Sequence, residues 1–186
     1  MDYEPNQLSV TQGKHLRKCD MTKEEIMDEI FGAFRDTKLE DGIGIYEADC
    51  IDDYLKPDSE EYFRWKKLDE RNDWTKLLPV FLNREGVPRF SNSCWIFMDA
   101  KGKRFVLPCF LIQELEDYPD FNPLYNTLTE GFGLEDLDIL SQRQVDTILK
   151  FIEYQVEVSI QKNNDAAFDE YYGYLQVAKE KLSKRS

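Results

Sequence analysis

One histidine is all that this chain of 186 residues contains. It is His15, beside Lys14, Arg17 and Lys18 in a polar opening stretch. A Ser/His/Asp or Cys/His nucleophilic triad would have to fold that single imidazole back onto the core, so His15 reads as a surface residue. Cysteine is scarce as well. Cys19, Cys50, Cys94 and Cys109 show no CxxC spacing, which offers neither a zinc pattern nor a disulfide framework and predicts free thiols. The opening Met1-Asp2-Tyr3-Glu4-Pro5 has no basic and then apolar leader, and with the free thiols this predicts a cytoplasmic location. The most apolar uncharged run, 105–113, is interrupted by Pro108 and falls short of the ~20 residues that span a bilayer. The glycines form neither GxGxxG nor GxxxxGK[ST], and Gly131-Phe132-Gly133 is too short and too acidic to cradle phosphate. No metal and no cofactor is expected on these grounds.

Positive charge is the other shortage. There are 24 Lys and Arg against 37 Asp and Glu, a formal net charge of −13. Phosphate binding needs clustered bases, so direct contact with nucleic acid and with an anionic membrane surface is disfavoured. The acids are concentrated. Residues 36–61 hold ten acids and two bases, a net −8, and residues 114–138 hold eight acids and no base, again −8. The remainder of the chain sums to +3. Hydrophobic residues at 41% and aromatics at 13% place the sequence among globular chains, of a length that suits one domain.

Residues 1–21 lack a sustained period and read as a loose arm, with a single globular domain over 22–186. Thr22-Lys23-Glu24-Glu25 is a capping box, and Ile26, Met27, Ile30, Phe31 and Phe34 recur at helical spacing, which predicts a helix over 23–35. The acidic stretch that follows, with Gly42, Gly44 and close-set acids, reads as loop or irregular turns. Acids after Pro57 mark another helix start, with Tyr62, Phe63, Trp65 and Leu68 as its inward side. Asp73-Trp74 reads as a cap and anchor for a short helical face of Trp74, Leu77, Leu78 and Phe81. The period then changes. Cys94-Trp95-Ile96-Phe97-Met98 and Arg104-Phe105-Val106-Leu107, separated by Asp99-Ala100-Lys101-Gly102-Lys103, predict a β-hairpin, with Pro108 opening a helix behind it. Ser141-Gln142-Arg143-Gln144 is a second capping box before a long helix, Asn163-Asn164-Asp165 breaks it, and an amphipathic helix closes the chain. The expected fold is mainly α, a compact helical domain with one small β-hairpin.

Chemistry is thinly represented. Glu47, Asp49, Asp52 and Asp53 are close enough in sequence to hold a divalent ion, and paired carboxylates serve glycoside hydrolysis. The spacing is not that of an EF-hand, and a solvated acidic loop accounts for it without chemistry. Trp65, Trp74 and Trp95 lie among apolar neighbours and read as core. Tyr171-Tyr172-Gly173-Tyr174 puts tyrosines on both faces of the last helix, which leaves at least one toward water as a contact for a protein partner.

Asp73-Trp74, Phe105-Val106-Leu107-Pro108-Cys109-Phe110-Leu111, Leu140-Ser141 with Gln144, and Phe151-Ile152-Glu153-Tyr154 together resemble a bacterial family of small proteins of unknown function. In that family a tryptophan element precedes a [FY]-x-LP-x-[FY]-L core and a late LS…Q…FL helix. The similarity covers residues 22–160, with Met21-Thr22-Lys23-Glu24-Glu25-Ile26 like the family's start and Cys109 where the family usually has Ala. The resemblance implies a small soluble bacterial domain and transfers no catalytic residue. Charge supplies the functional expectation: a non-enzymatic binding protein, of inhibitor or immunity type, docking a basic partner such as a toxin or nuclease. Its candidate contacts are Glu47, Asp49, Asp52, Asp53, Asp117, Asp120, Glu135, Asp136 and Asp138. The alternative is a carboxylate-dependent hydrolase, with or without a divalent ion.

Overall fold

A computed structural model describes residues 21–82, 93–116, 123–130 and 134–182. Local capping chemistry accounts for the first helix, α1 (Lys23–Phe34). The Glu25 amide donates to the Thr22 hydroxyl at 3.2 Å, and the Thr22 amide donates to the Glu25 carboxylate at 2.8 Å. Ile26, Ile30 and Phe34 form the buried face expected of it. Then come α2 (Ile45–Asp52), α3 (Glu60–Lys66), a 3₁₀ turn (Trp74–Leu77) running into α4 (Leu78–Leu82), α5 (Ser93–Phe97), α6 (Ala100–Leu115) and α7 (Pro123–Glu130). A second 3₁₀ segment (Leu134–Ile139) precedes the long α8 (Gln142–Gln161) and α9 (Asp165–Leu182). The Ser141 box closes as expected, with Ser141 accepting from the Gln144 amide and Gln144 accepting from the Ser141 amide.

The predicted β-hairpin is not there: no strand occurs among the described residues, and 94–107 belongs to α5 and α6 apart from Met98 and Asp99 between them. The reason is burial on all sides. Eight consecutive residues of α6, from Phe105 through Ile112, are buried, and a helix buried all round has no amphipathic period to set it apart from a buried strand. The supposed turn is the helix start. Asp99 is the N-cap, its Oδ1 accepting from the Gly102 amide at 2.8 Å. Pro108 therefore stands in mid-helix rather than in a first turn. It removes the amide that the Arg104 carbonyl would accept, a cost of about 3 kcal/mol. Burial of Phe105, Leu107, Phe110 and Leu111, each contributing about 1.5–3 kcal/mol, offsets it.

The other elements assemble around α6. It packs against α1, α4 and both 3₁₀ segments, α8 packs between α1 and α9, α7 lies on α9, and α2 touches α5 and α3. Trp74 stacks on Phe31 with ring centroids 5.3 Å apart and donates its indole N–H to the Phe34 carbonyl at 2.8 Å, which pins the 74–77 turn to α1. Phe110 makes T-shaped contacts with Phe81 and Trp95, ring centroids 4.9 and 5.8 Å apart. Trp74 and Trp95 are core, as expected, whereas Trp65 is half-buried, stacked on Tyr46. Two of the residues expected on the inward side of the helix after Pro57 are outside: Phe63, on α3, is 50% exposed, and Leu68, beyond its end, 54%. No described helix is long and apolar enough to cross a membrane.

Candidate functional site

The acidic stretch after α1 is not a loop throughout; its middle is α2, which carries Glu47, Asp49 and Asp52. A helix forms there although Gly44, its N-cap residue, has no side chain to cap with. The cap is supplied from across the fold. Asp69 accepts from the Tyr46 amide at 2.8 Å and the Glu47 amide at 3.3 Å. Gly44 permits that approach, because a Cβ there would lie 2.2 Å from the Asp69 carboxyl carbon. Burial pushes the Asp69 carboxyl up to about 6, against the pull of those two amides and of Arg71.

Glu47 points inward. Its Oε1 accepts from the Tyr62 hydroxyl at 2.7 Å and from Lys66 at 2.5 Å, and Arg71 stands 3.9 Å from Oε2. The residue is buried, so it ties α2 to α3 and is not a surface contact. Burial, and then the bond to Glu47, push the Tyr62 phenol well up and keep it a donor. Next to it, burial and the charge of Asp49 push the Cys50 thiol up to about 11, so this cysteine is held as an unreactive thiol. Asp49 accepts from the Cys94 thiol at 3.7 Å and is half-buried, as is Asp52; Asp53 is exposed.

The second acidic segment is distributed differently. Asp136 is ion-paired with the buried Lys103, Glu135 and Asp138 are exposed, and Asp117 and Asp120 lie outside the described residues. Each segment is tied separately to the first turns of α6. Lys101 pairs with Glu40 and Asp41, Arg104 with Glu40, and Lys103 with Asp136. Contact with Lys101 holds the Glu40 and Asp41 carboxyls below their ordinary values. Part of each −8 is thus consumed inside the protein.

Exposed acids and exposed aromatic or apolar side chains come together from the end of α2 through α3 to Leu68. Asp53, Asp58, Glu60 and Glu61 are exposed there, Glu61 3.6 Å from Arg64, and so are Tyr54 at 92%, Phe63 and Leu68. Tyr54 is the residue that sequence reasoning missed. The Tyr54 amide donates to the Ile51 carbonyl at 3.1 Å and the Leu55 amide to the Cys50 carbonyl at 2.9 Å, the two bonds of a Schellman helix end. Tyr54 occupies its left-handed position with φ 57°, where glycine or asparagine is usual. Nothing in local spacing announces this, because the strain appears only once α2 is known to be a helix.

The tyrosines of α9 are engaged rather than free: Tyr174 stacks on Tyr125 at 4.1 Å, Tyr171 meets Tyr125 edge-on at 5.8 Å, and Tyr172 stacks on Phe168 at 5.6 Å. Among the described residues no three His, Cys, Asp or Glu side chains are placed to hold a metal ion.

These features define a helical domain built around one buried helix, with an acidic and aromatic surface at α2–α3. The chain belongs to DUF6714, a family of unknown function, whose model matches residues 22–179. No curated protein and no solved structure matches it.

Proposed function

We propose that the chain is a non-enzymatic binding protein that docks a basic protein partner through the α2–α3 surface, as an inhibitor or immunity-type protein does with a cationic toxin or nuclease. The observation that carries this reading is Tyr54, 92% exposed and held at a φ of 57° beside Asp53. A left-handed conformation costs an L-residue roughly 1–2 kcal/mol, and an exposed ring recovers none of that by burial in the isolated protein. A partner that covers the ring supplies the missing gain, since tyrosine combines area with a polar tip. Charge complementarity specifies its sign. From 52 to 61 the chain holds Asp52, Asp53, Asp58, Glu60 and Glu61 against Lys56 alone, a field that steers a cationic surface toward Tyr54 and Phe63.

The hydrolase reading gains no comparable support. Of the acids grouped by sequence, Glu47 is directed at Tyr62 and Lys66, inside the fold.

The test is retention of partners from the native host on immobilised protein. A basic protein should be held by the wild type at low salt, released at about 0.5 M salt, and lost by Tyr54→Ala and by Asp53→Lys/Asp58→Lys/Glu61→Lys. A partner retained equally by both variants and at high salt would place the interface elsewhere and sink this reading.

A further inference from the structure

A side chain that accepts a transferred group must be both reachable and uncommitted. Among the described side chains, the hydroxyls are committed almost without exception. The serine and threonine hydroxyls each enter a hydrogen bond, at helix caps, to carbonyls within helices, or to Asp73 and Gln144. Of the tyrosines, Tyr62, Tyr125, Tyr171 and Tyr174 bond to carboxylates, and Tyr154 is engaged as well. Tyr46 and Tyr172 are half-buried in stacks on Trp65 and Phe168. Tyr54 is the exception. It is 92% exposed, and among the described residues its phenol has no hydrogen-bond partner and its ring no stacking partner.

The setting of Tyr54 suits entry into the cleft of a second enzyme. The chain leaves α2 through the left-handed turn at this residue, and from Asp53 to Asp58 every residue but Leu55 is exposed. The ring and its neighbours on both sides are therefore reachable without unfolding. Charge narrows the class of enzyme. Asp53, Asp58 and Glu60 stand exposed about this stretch with Lys56 as the one base from 52 to 61, a field that a basic acceptor groove complements and an acidic one repels.

We propose that Tyr54 is a phosphorylation site, the acceptor for a nucleoside-triphosphate-dependent protein-tyrosine kinase with a basic acceptor groove. The phenol oxygen bonds to the γ-phosphorus as the bond from that phosphorus to the β,γ-bridging oxygen breaks; the nucleoside diphosphate leaves, and the phenol proton passes to the base of the kinase. The product carries close to two added negative charges at neutral pH. They fall on the α2–α3 surface. Transfer does not depend on the docking reading of that surface, but its consequence does: a modified chain then holds a basic partner to higher salt.

The test incubates the full chain with ATP and an extract of the native host, then reads it by intact mass and by fragmentation of the peptide that carries 52–61. Chain isolated directly from the host is read alongside. The wild type should gain one phosphoryl group, placed on Tyr54. Tyr54→Phe, which removes the hydroxyl and keeps the exposed ring, should gain none, while Tyr172→Phe should gain as much as the wild type. Mass reads the transfer and retention on immobilised protein reads the docking, so each can fail without the other. A wild type with no phosphoryl group in either preparation, or a gain that persists in Tyr54→Phe, overturns the proposal.

Discussion

Two residues hold the same backbone position at the ends of two helices and differ in everything else. Asn163, φ 48°, follows the C-cap of α8 with the same pair of bonds that Tyr54 makes after α2, and asparagine tolerates that conformation. Tyr54 does not. Tyr54→Gly should therefore raise the stability of the isolated protein by about 1 kcal/mol, read as a higher urea midpoint with unchanged slope, while abolishing partner retention. A loss of stability would mean that the ring packs usefully in the free protein, and the functional argument from strain would lapse. Asp69 gives a second prediction at this scale. Its carboxyl is raised from 3.8 to about 6, so between those values the native state holds a proton that the unfolded chain has released. Stability then falls as pH rises through that window. The full cost, on the order of 3 kcal/mol, is present above pH ~6. Glu40, Asp41, Glu70 and Asp73 work in the opposite sense, but their lowered values confine their loss to pH below the ordinary 4.5 and 3.8. Urea midpoints should thus be higher at pH 5 than at pH 7 for the wild type, and Asp69→Asn should flatten the difference.

Among the elements, α6 decides the most. Asp99 Oδ1 caps it through the Gly102 amide and also accepts from the Ile43 amide at 3.1 Å, so the 39–44 loop is drawn onto the helix start. The consequence is that a Cβ at Gly102 would stand 2.1 Å from the Ile43 carbonyl oxygen. Gly102→Ala should destabilise by about 1–3 kcal/mol through overpacking against backbone. Gly173→Ala, on α9 with nothing within 4 Å of the added carbon, should instead stabilise by about 0.5–1 kcal/mol. Paired thermal melts of the two variants check both signs. The same contrast explains what was legible in the sequence. Boxes at Thr22 and Ser141 are local chemistry, three residues from donor to acceptor, and α1 and α8 follow from them directly. The start of α2 is capped by Asp69, 22 residues beyond Glu47 in the chain, so its glycines and acids look like a loop until the fold is known. In α6 the apolar run is long and aperiodic because every side is covered, and Asp99, the one local sign of a helix start, serves equally well as a turn residue. The acidic segments were legible as charge but not as surface, since Glu47 and Asp136 are spent on Lys66 and Lys103.

For the whole molecule the net charge of −13 acts in two opposed ways that salt separates. The pair of Lys103 with Asp136, at a buried lysine, lies well inside a Debye length of about 10 Å at 0.1 M, and salt weakens it little. Repulsion among the unpaired acids acts over longer distances and is screened first, which favours the compact state. Urea midpoints at pH 7 should accordingly rise as sodium chloride is increased to about 0.5 M. The same addition should weaken the complex with a basic partner, because steering by the 52–61 acids is screened over the same range. Stability and affinity must then move in opposite directions along one salt series, measured on one preparation by urea unfolding and by surface-immobilised binding. A midpoint that falls with salt would show that the ion pairs around α6 dominate the electrostatics of folding. Affinity indifferent to salt would show that Tyr54, Phe63 and Leu68 bind without help from charge.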